Sequence, residues 1–411
     1  MSAFPKEALI ERLLRLVEVM MLKPFIKSAA LSALLLGLGG CSTLSDWMFG
    51  GDDNRDPPAE LTTLSSNIAV SQLWSASAGS GVGEEWIRFR PAVSGSRVYV
   101  AGRDGEVRAL NAASGAAIWA VDLDLPLSSG AAAGEGLVLV ASDAGELIAL
   151  SENDGIERWR VSLTAPALSP AVIKTGIVVV RTVDGNISGF DVATGGRAWV
   201  YPRRVPALTM RGVSAPVLVG KNGVLSGSDS GKLSLVTLEK GFPVWERDVA
   251  VASGHSELER MVDIDGDPVV VGNVVFAIAF QGRAAAMNVQ DGQVAWSREM
   301  SSGVGLAADT EQVYVTDADS DLWALDASTG ESLWRQTDLH RRQLTAPVRV
   351  GSYVAVGDFE GYVHWLSRED GRLVGRTQVD SDGILGPMVE SDGVLYVQGR
   401  SGNVVALRPG V

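Results

Sequence analysis

An internal repeat constrains the fold of this chain more than any other feature. Apolar residues that end a strand-like segment recur at spacings of 40, 40, 46, 51, 38, 41 and 41 residues. Periods of this length are typical of propellers and solenoids, in which each repeat is one unit of supersecondary structure. The eight repeat positions are Leu110, Leu150, Phe190, Val236, Met287, Leu325, Leu366 and Leu407.

Turn residues flank each repeat position on both sides. Five residues earlier the chain has a glycine in every repeat except one, where Ser320 replaces it, and this indicates a tight turn into the strand. A position that always takes glycine indicates a hairpin turn with positive φ. Five residues after the first seven repeat positions stand Gly115, Gly155, Gly195, Gly241, Gly292, Gly330 and Gly371.

Tryptophan occupies a third recurring position, nine residues after the repeat position. Gly375 is the exception, and the sequence does not show what takes the place of its missing ring. Because aromatic rings bury large apolar areas, we expect these side chains to pack between adjacent repeats and not to line a ligand site. They are Trp119, Trp159, Trp199, Trp245, Trp296 and Trp334.

Short apolar segments upstream of each repeat position predict two further strands per repeat. Examples are residues 97–102, 176–181 and 273–280, which are too short and too rich in β-branched residues for helices. Each repeat is thus a four-stranded antiparallel sheet, and eight such sheets predict an all-β, eight-bladed β-propeller over residues 65–411.

The two ends of the chain suggest how the ring closes. Trp74 has no repeat position before it, and the last repeat reaches Val411 before its own tryptophan. We therefore expect the N-terminal strand to pair with the last blade. An open β-solenoid would gain nothing from this arrangement and would expose two sheet edges.

Residues 1–40 predict a signal peptide region. Lys23 and Lys27 precede an apolar run that is too short to span a bilayer. Residues 1–20 look like an amphipathic helix, which is not expected in front of a signal peptide. Translation that starts at Met21, or at Met20, would explain these residues more simply.

Residues 38–41, which end in the only cysteine of the chain, resemble the bacterial lipobox. This resemblance implies that Cys41 is diacylated and becomes the mature N-terminus. The alternative is an ordinary secretory signal with an unrelated cysteine. By the sorting rule of such lipoproteins, Ser42 and Thr43 favour the outer membrane. Residues 41–64 are polar and predict a lipidated flexible tether.

Charge and composition exclude several classes of partner and cofactor. The net charge is −14 without a basic tract, so we expect no nucleic acid partner and expect membrane attachment only through the lipid anchor. His255, His340 and His364 lack the spacing of metal ligands, and we expect them on the surface or in loops. The sequence therefore predicts no metal and no cofactor.

The repeats resemble those of pyrroloquinoline-quinone dehydrogenases, as residues 324–334 (ALDASTGESLW) and 189–199 (GFDVATGGRAW) show. The resemblance implies the eight-bladed fold. Those enzymes also carry a vicinal cysteine pair and a calcium site, usually on long insertions, and this chain has neither a second cysteine nor such insertions. Asp104 and Asp184 are explained as turn formers before Gly105 and Gly185. We therefore expect no enzyme.

A lipobox followed by eight such repeats resembles the BamB family, the propeller lipoproteins of the β-barrel assembly machinery. The resemblance covers residues 41–411, and its most specific stretches are 206–216, 256–271 and 357–366. It implies a non-catalytic scaffold lipoprotein of the outer-membrane β-barrel assembly (BAM) complex. The alternatives are a scaffold of another envelope complex and, less consistent with the residues, a quinone-dependent dehydrogenase.

Two long connections between blades follow one another in the chain. Seventeen residues separate Trp199 from Pro216 and 23 separate Trp245 from Pro268, against 11 and 13 for two ordinary connections. Long adjacent loops on a rigid scaffold predict a docking surface. Apolar side chains beside an arginine and two carboxylates have the composition of an interface hot spot. The candidate residues are Leu208, Met210, Arg211, Asp263 and Asp265.

The BamB resemblance implies the same positions. Its contact with the barrel subunit uses an L-x-L-R motif and a D-x-D motif, matched here at residues 208–211 and 263–265, with Met210 replacing the second leucine. The implied partners are the periplasmic (POTRA) domains of the barrel subunit and unfolded outer-membrane protein clients. Alternatively, or in addition, Arg211 pairs with Asp263 or Asp265 within the propeller. Two carboxylates alone make a poor calcium site.

Overall fold

The computed structural model describes residues 57–64, 68–83, 85–210 and 212–410. These residues form 32 strands and no helix. The strands make eight four-stranded antiparallel sheets, which confirms the predicted eight-bladed propeller. Within the described ranges there is accordingly no helix with the length and hydropathy needed to cross a membrane.

Seven blades each use four consecutive strands, numbered from the innermost to the outermost. Blade 1 contains β2 (Ala92–Ser94), β3 (Arg97–Ala101), β4 (Glu106–Asn111) and β5 (Ala117–Asp122), and blade 2 contains β6 (Ala132–Gly134), β7 (Leu137–Ala141), β8 (Glu146–Ser151) and β9 (Glu157–Ser162). Blade 3 contains β10 (Val172–Lys174), β11 (Ile177–Arg181), β12 (Ile187–Asp191) and β13 (Arg197–Tyr201), and blade 4 contains β14 (Val217–Val219), β15 (Gly223–Gly227), β16 (Lys232–Thr237) and β17 (Pro243–Asp248).

The remaining blades follow the same plan. Blade 5 contains β18 (Val269–Val271), β19 (Val274–Ile278), β20 (Arg283–Asn288) and β21 (Val294–Glu299), and blade 6 contains β22 (Leu306–Ala308), β23 (Gln312–Thr316), β24 (Leu322–Asp326) and β25 (Ser332–Gln336). Blade 7 contains β26 (Val348–Val350), β27 (Tyr353–Gly357), β28 (Tyr362–Ser367) and β29 (Leu373–Gln378), and blade 8 contains β30 (Val389–Ser391), β31 (Val394–Gln398), β32 (Asn403–Pro409) and β1 (Val70–Ser77).

Blade 8 closes the ring as the sequence predicted. Strand β1 pairs antiparallel with β32, with Trp74 opposite Ala406, and it forms the outermost strand of the sheet. At the axis, β30 of blade 8 contacts β2 of blade 1. The two ends of the described propeller are therefore joined by ordinary β-sheet hydrogen bonds.

Burial follows the position of a strand within its blade. The second and third strands are buried on both faces, as in β7, where every side chain is buried, because a neighbouring blade covers each face. The fourth strands of blades 2 and 4, for example, are largely exposed apart from their tryptophan positions, whereas β29 of blade 7 has its first three residues buried. Each fully buried valine or leucine contributes about 1.5 to 3 kcal/mol relative to an exposed one.

The recurring tryptophans join neighbouring blades in one repeated geometry. Their indole N–H groups donate to a backbone carbonyl of the next blade at 2.8 to 3.1 Å. Each ring also covers the turn glycine of that next blade. A Cβ on Gly371, for example, would lie 2.4 Å from Cε3 of Trp334. The seven turn glycines have φ between 66° and 74°, so glycine is needed both for the backbone and for the space.

Blade 7 shows what takes the place of the missing tryptophan at Gly375. In the other blades the tryptophan faces an alanine, glycine or leucine on the third strand. In blade 7 the two positions are exchanged, because Trp365 on β28 faces Gly375 on β29. Trp365 is fully buried and packs with Leu395 and Leu407 of blade 8. Ile68 occupies the space beside Gly375, 2.9 Å from where a Cβ would lie.

Residues at the end of the predicted tether contact the propeller. The Ala59 N–H donates to the His340 carbonyl at 2.9 Å, and Arg342 donates to the Ala59 carbonyl at 2.9 Å. Leu61 and Leu64 pack on the apolar cluster between blades 6 and 7. Any freely moving tether would therefore end before residue 59. Residues 41–56 and the predicted signal region lie outside the described residues.

Candidate docking site

Both long connections leave the same end of the propeller, which we call the loop face. This face carries the connections between blades together with the turns between second and third strands. Leu163, for example, follows the outer strand of blade 2 and donates its N–H to the carbonyl of the turn residue Gly145 at 2.7 Å. Residues 202–216 link blades 3 and 4, and residues 249–268 link blades 4 and 5. The predicted placement of the two loops is confirmed.

An acidic segment at the end of the second connection holds the first one in place. The Met210 N–H donates to Oδ2 of Asp263, and the Ala215 N–H donates to Oδ1 of Asp267 at 2.6 Å. Between them, Asp265 packs against Gly212, where a Cβ would lie 2.3 Å from the carboxyl carbon. Alternate side chains of an extended chain point the same way, so these three aspartates face one neighbouring segment.

The burial of this pair corrects the prediction that Asp263 and Asp265 form part of an exposed surface. Their side chains are 0% and 3% exposed. Charged residues in a long loop suggest contact with solvent, but here the second connection folds back under the first and its carboxylates meet backbone N–H groups. The two aspartates can therefore shape the docking loops from beneath, and their carboxylates are not available to a partner in this conformation.

Burial also changes the acidity of both groups. It raises the pKa of Asp263 to about 7, although the Met210 N–H acts in the opposite direction. It raises the pKa of Asp265 to about 6, with the charge of Arg88 opposing the increase. Among the described residues, Oδ1 of Asp263 and both carboxylate oxygens of Asp265 have no hydrogen-bond partner. The site thus contains carboxyl groups that titrate near neutral pH.

The apolar candidates lie closer to the surface. Leu208 is exposed and Met210 is half-buried. Arg211 lies outside the described residues, so its predicted pairing with Asp263 or Asp265 stays a prediction. The same holds for the lipidation predicted at Cys41.

Sequence reasoning missed several residues of this region. Asp267 extends the acidic motif, and its Oδ2 lies 2.5 Å from Nη1 of Arg90 in blade 1. Val251 and Leu258 of the second connection are 74% and 60% exposed, more than Leu208. The available signal was the alternation of aspartate at 263, 265 and 267 and the presence of apolar residues in a polar loop.

A buried ion pair supports the base of the first connection. Arg181 on β11 pairs with Asp229, and it also donates to Oγ of Ser214 at 3.0 Å. All three side chains are buried. Because a buried charge is costly unless it is paired, this contact fixes Ser214 relative to blades 3 and 4.

One histidine prediction was wrong. His364 lies fully buried on β28, where its Nε2 is 2.8 Å from Oδ2 of Asp358 and Arg376 donates to its Nδ1. This pattern places the proton on Nε2, and burial lowers the pKa of the ring. Apolar neighbours on both sides of His364 were the signal for a buried strand. In the described part of the chain, no group of three or more histidine, cysteine or acidic side chains could hold a metal ion.

Comparison with known proteins gives a consistent family. A family model described as outer membrane protein assembly factor BamB matches residues 69–119 and 103–336. The outer membrane protein assembly factor BamB of Pseudomonas aeruginosa is 51% identical over 381 residues, which are 92% of this chain and 98% of the relative. The protein of the same name from Escherichia coli K12 is 36% identical over 398 residues, which are 94% of this chain and 100% of the relative.

A solved structure agrees. The crystal structure of BamB from Moraxella catarrhalis matches with a TM-score of 0.77 and 29% sequence identity, over 83% of this chain and 100% of that chain. Sequence and fold therefore point in the same direction over most of the length. This chain belongs to the family of the outer membrane protein assembly factor BamB.

Proposed function

We propose that this chain is a non-catalytic, lipid-anchored assembly factor that acts in the BAM complex at the periplasmic face of the outer membrane. Its relatives are named as assembly factors, and they share most of their length with it. Cys41 would carry the lipid. The propeller itself would act as a rigid scaffold.

The scaffold would dock on the periplasmic (POTRA) domains of the barrel subunit through the two long connections. The observation that carries this proposal is the Met210 to Asp263 hydrogen bond, which ties two adjacent loops into one unit on the loop face. A surface ordered before binding loses less conformational entropy when the partner arrives. Leu208, Val251 and Leu258 supply exposed apolar area on this unit.

The proposed roles of the five candidate residues therefore divide. Leu208, Met210 and Arg211 would contact the partner directly, whereas Asp263 and Asp265 would hold the first connection in its binding conformation. Unfolded clients could add a strand to the outer edge of a blade, where β17 carries the exposed Val244. A scaffold of another envelope complex remains the alternative, and the proteins that copurify with the chain would distinguish the two.

The Leu208→Glu substitution tests the docking surface. We expect it to weaken binding to purified periplasmic domains of the barrel subunit by at least about tenfold, because it places a charge in the apolar part of the contact. The matched control is Leu333→Glu, since Leu333 is 49% exposed on the outer strand of blade 6 and Leu208 is 42% exposed. Equal binding by the Leu208→Glu protein and the wild type, measured by calorimetry, would exclude this docking surface.

A further inference from the structure

Two particular positions before the innermost strand carry charged residues in only two of the eight blades. Arg88 and Arg90 occupy the positions four and two residues before the innermost strand of blade 1, and Asp265 and Asp267 occupy them in blade 5. In the other six blades the same positions hold Ser128 and Gly130, Leu168 and Pro170, Val213 and Ala215, Ser302 and Val304, Leu344 and Ala346, and Leu385 and Pro387.

Blades 1 and 5 face each other across the axis, because three blades lie between them in either direction around a ring of eight. The four charged residues line one central cavity of about 230 Å³. Across it, Nη1 of Arg90 lies 2.5 Å from Oδ2 of Asp267. Arg88 and Asp265 occupy the matching places two residues earlier, and the charge of Arg88 acts on the Asp265 carboxyl. Two cationic groups of one blade thus oppose two anionic groups of the other.

The backbone that presents the arginines is closely confined by the neighbouring blades. A Cβ on Gly130 of blade 2 would lie 2.8 Å from the backbone nitrogen and oxygen of Arg90. A Cβ on Gly386, which precedes blade 8, would lie 1.8 Å from the carbonyl oxygen of Phe89. Both glycines permit this close approach. Arg88 and Arg90 are therefore held by packing on both sides of their segment.

The Asp267 carboxylate connects this pair to the candidate docking site. Its Oδ2 meets Arg90, and its Oδ1 accepts the N–H of Ala215 at the end of the first connection. One carboxylate therefore joins blade 1, the start of blade 5 and the loop before blade 4. The side chains of Arg90 and Asp267 are 25% and 30% exposed, so salt screens the pair only in part.

We propose that Arg90 is a positioning residue, which through Asp267 holds the end of the first docking connection in its binding conformation from the opposite side of the ring. This proposal rests on the docking function proposed above. Removing the Arg90 charge would leave Asp267 held by a single backbone N–H. The end of the first connection would then lose its link to blade 1.

The test is the Arg90→Ala substitution in the full-length protein. We expect amide hydrogen exchange in residues 210–216 to become about tenfold faster, because opening these loops would no longer break the ion pair. We expect affinity for the periplasmic domains of the barrel subunit to fall by about three- to tenfold, since loop ordering is then part of the binding cost. Arg90→Lys, which keeps the charge, should restore most of both values.

Arg158→Ala is the control, because Arg158 is an exposed arginine of the outer strand of blade 2. If Arg90→Ala does not fold, Arg90→Gln removes the charge while keeping most of the side-chain volume. Unchanged exchange in residues 210–216 would overturn the positioning role. Faster exchange with unchanged affinity would support the link across the axis and would instead reject docking through these loops.

Discussion

The two ends of the propeller follow different rules. At the end opposite the loop face, seven tryptophans make the same indole hydrogen bond and cover the same turn glycine around the ring. On the loop face, blades 3 to 5 depart from the repeat with two long connections, three aligned aspartates and an ion pair across the axis. The regular end joins the blades, whereas the irregular end carries the candidate docking site.

This difference teaches where a repeat protein can change. A tryptophan contact is shared by two blades, so altering one partner leaves a cavity or a clash in the next blade. Blade 7 illustrates the constraint, because its ring lies on the third strand, at Trp365, and the facing position on the fourth strand is a glycine, Gly375. A connection on the loop face can lengthen without disturbing a blade interface.

The largest expected effect on stability comes from removing one of the repeated tryptophans at the regular end. Trp245→Ala should lower the free energy of unfolding by about 3 to 5 kcal/mol, because it leaves a cavity and removes the bond to the Val289 carbonyl. Urea unfolding would measure it. Trp86→Ala is the control, since Trp86 is 62% exposed on the loop face and Trp245 is 6% exposed. Similar losses in both variants would contradict the proposed division between the two ends.

Alanine substitutions at two glycines of blade 7 distinguish the cost of backbone strain from the cost of disturbing a tryptophan contact. Gly371 and Gly351 have φ of 72° and 60°, but only Gly371 lies under a ring, that of Trp334. Either change to alanine should cost about 1 to 2 kcal/mol through strain in the left-handed region. Gly371→Ala should cost about 1 to 3 kcal/mol more, because the added methyl group displaces the ring. Equal shifts in the urea midpoint would show that the ring tolerates a side chain there.

A pH series sharpens the comparison at the loop face. Because burial raises the pKa of Asp263 to about 7, the folded protein keeps this proton at a pH where the unfolded chain has lost it. The free energy of unfolding should therefore fall as the pH rises from about 4 to about 7. Asp263→Asn should reduce that fall by about 1 to 2 kcal/mol, since the amide does not ionise and still accepts the Met210 N–H.

Urea unfolding at several pH values would measure this effect. Asp338→Asn serves as the control, because Asp338 is exposed in the connection between blades 6 and 7. A wild-type pH dependence parallel to that of Asp263→Asn would show that Asp263 is ionised throughout the range. The tryptophan contacts themselves should contribute nothing to this dependence, because the indole rings and the carbonyl groups they bond do not titrate in this range.

Much of the candidate site was predictable from loop length. The counts from Trp199 to Pro216 and from Trp245 to Pro268 located both connections, and the structure places them side by side on one face. The counts could not show that Asp263 and Asp265 are buried. The local sequence around an aspartate is the same whether its carboxylate meets a backbone N–H in the interior or faces solvent. They also missed Arg90, which lies 177 residues from Asp267.

The sequence by itself determined the blade number, the four strands of each blade and the closure of the ring through Trp74. These properties depend on short-range periodicity and on turn residues, and both patterns recur in each repeat. Only the tertiary structure decided which charges are buried, how Trp365 replaces the ring missing at Gly375, and which blades face each other across the axis. Those outcomes depend on contacts between residues far apart in the chain, and such contacts leave no local pattern.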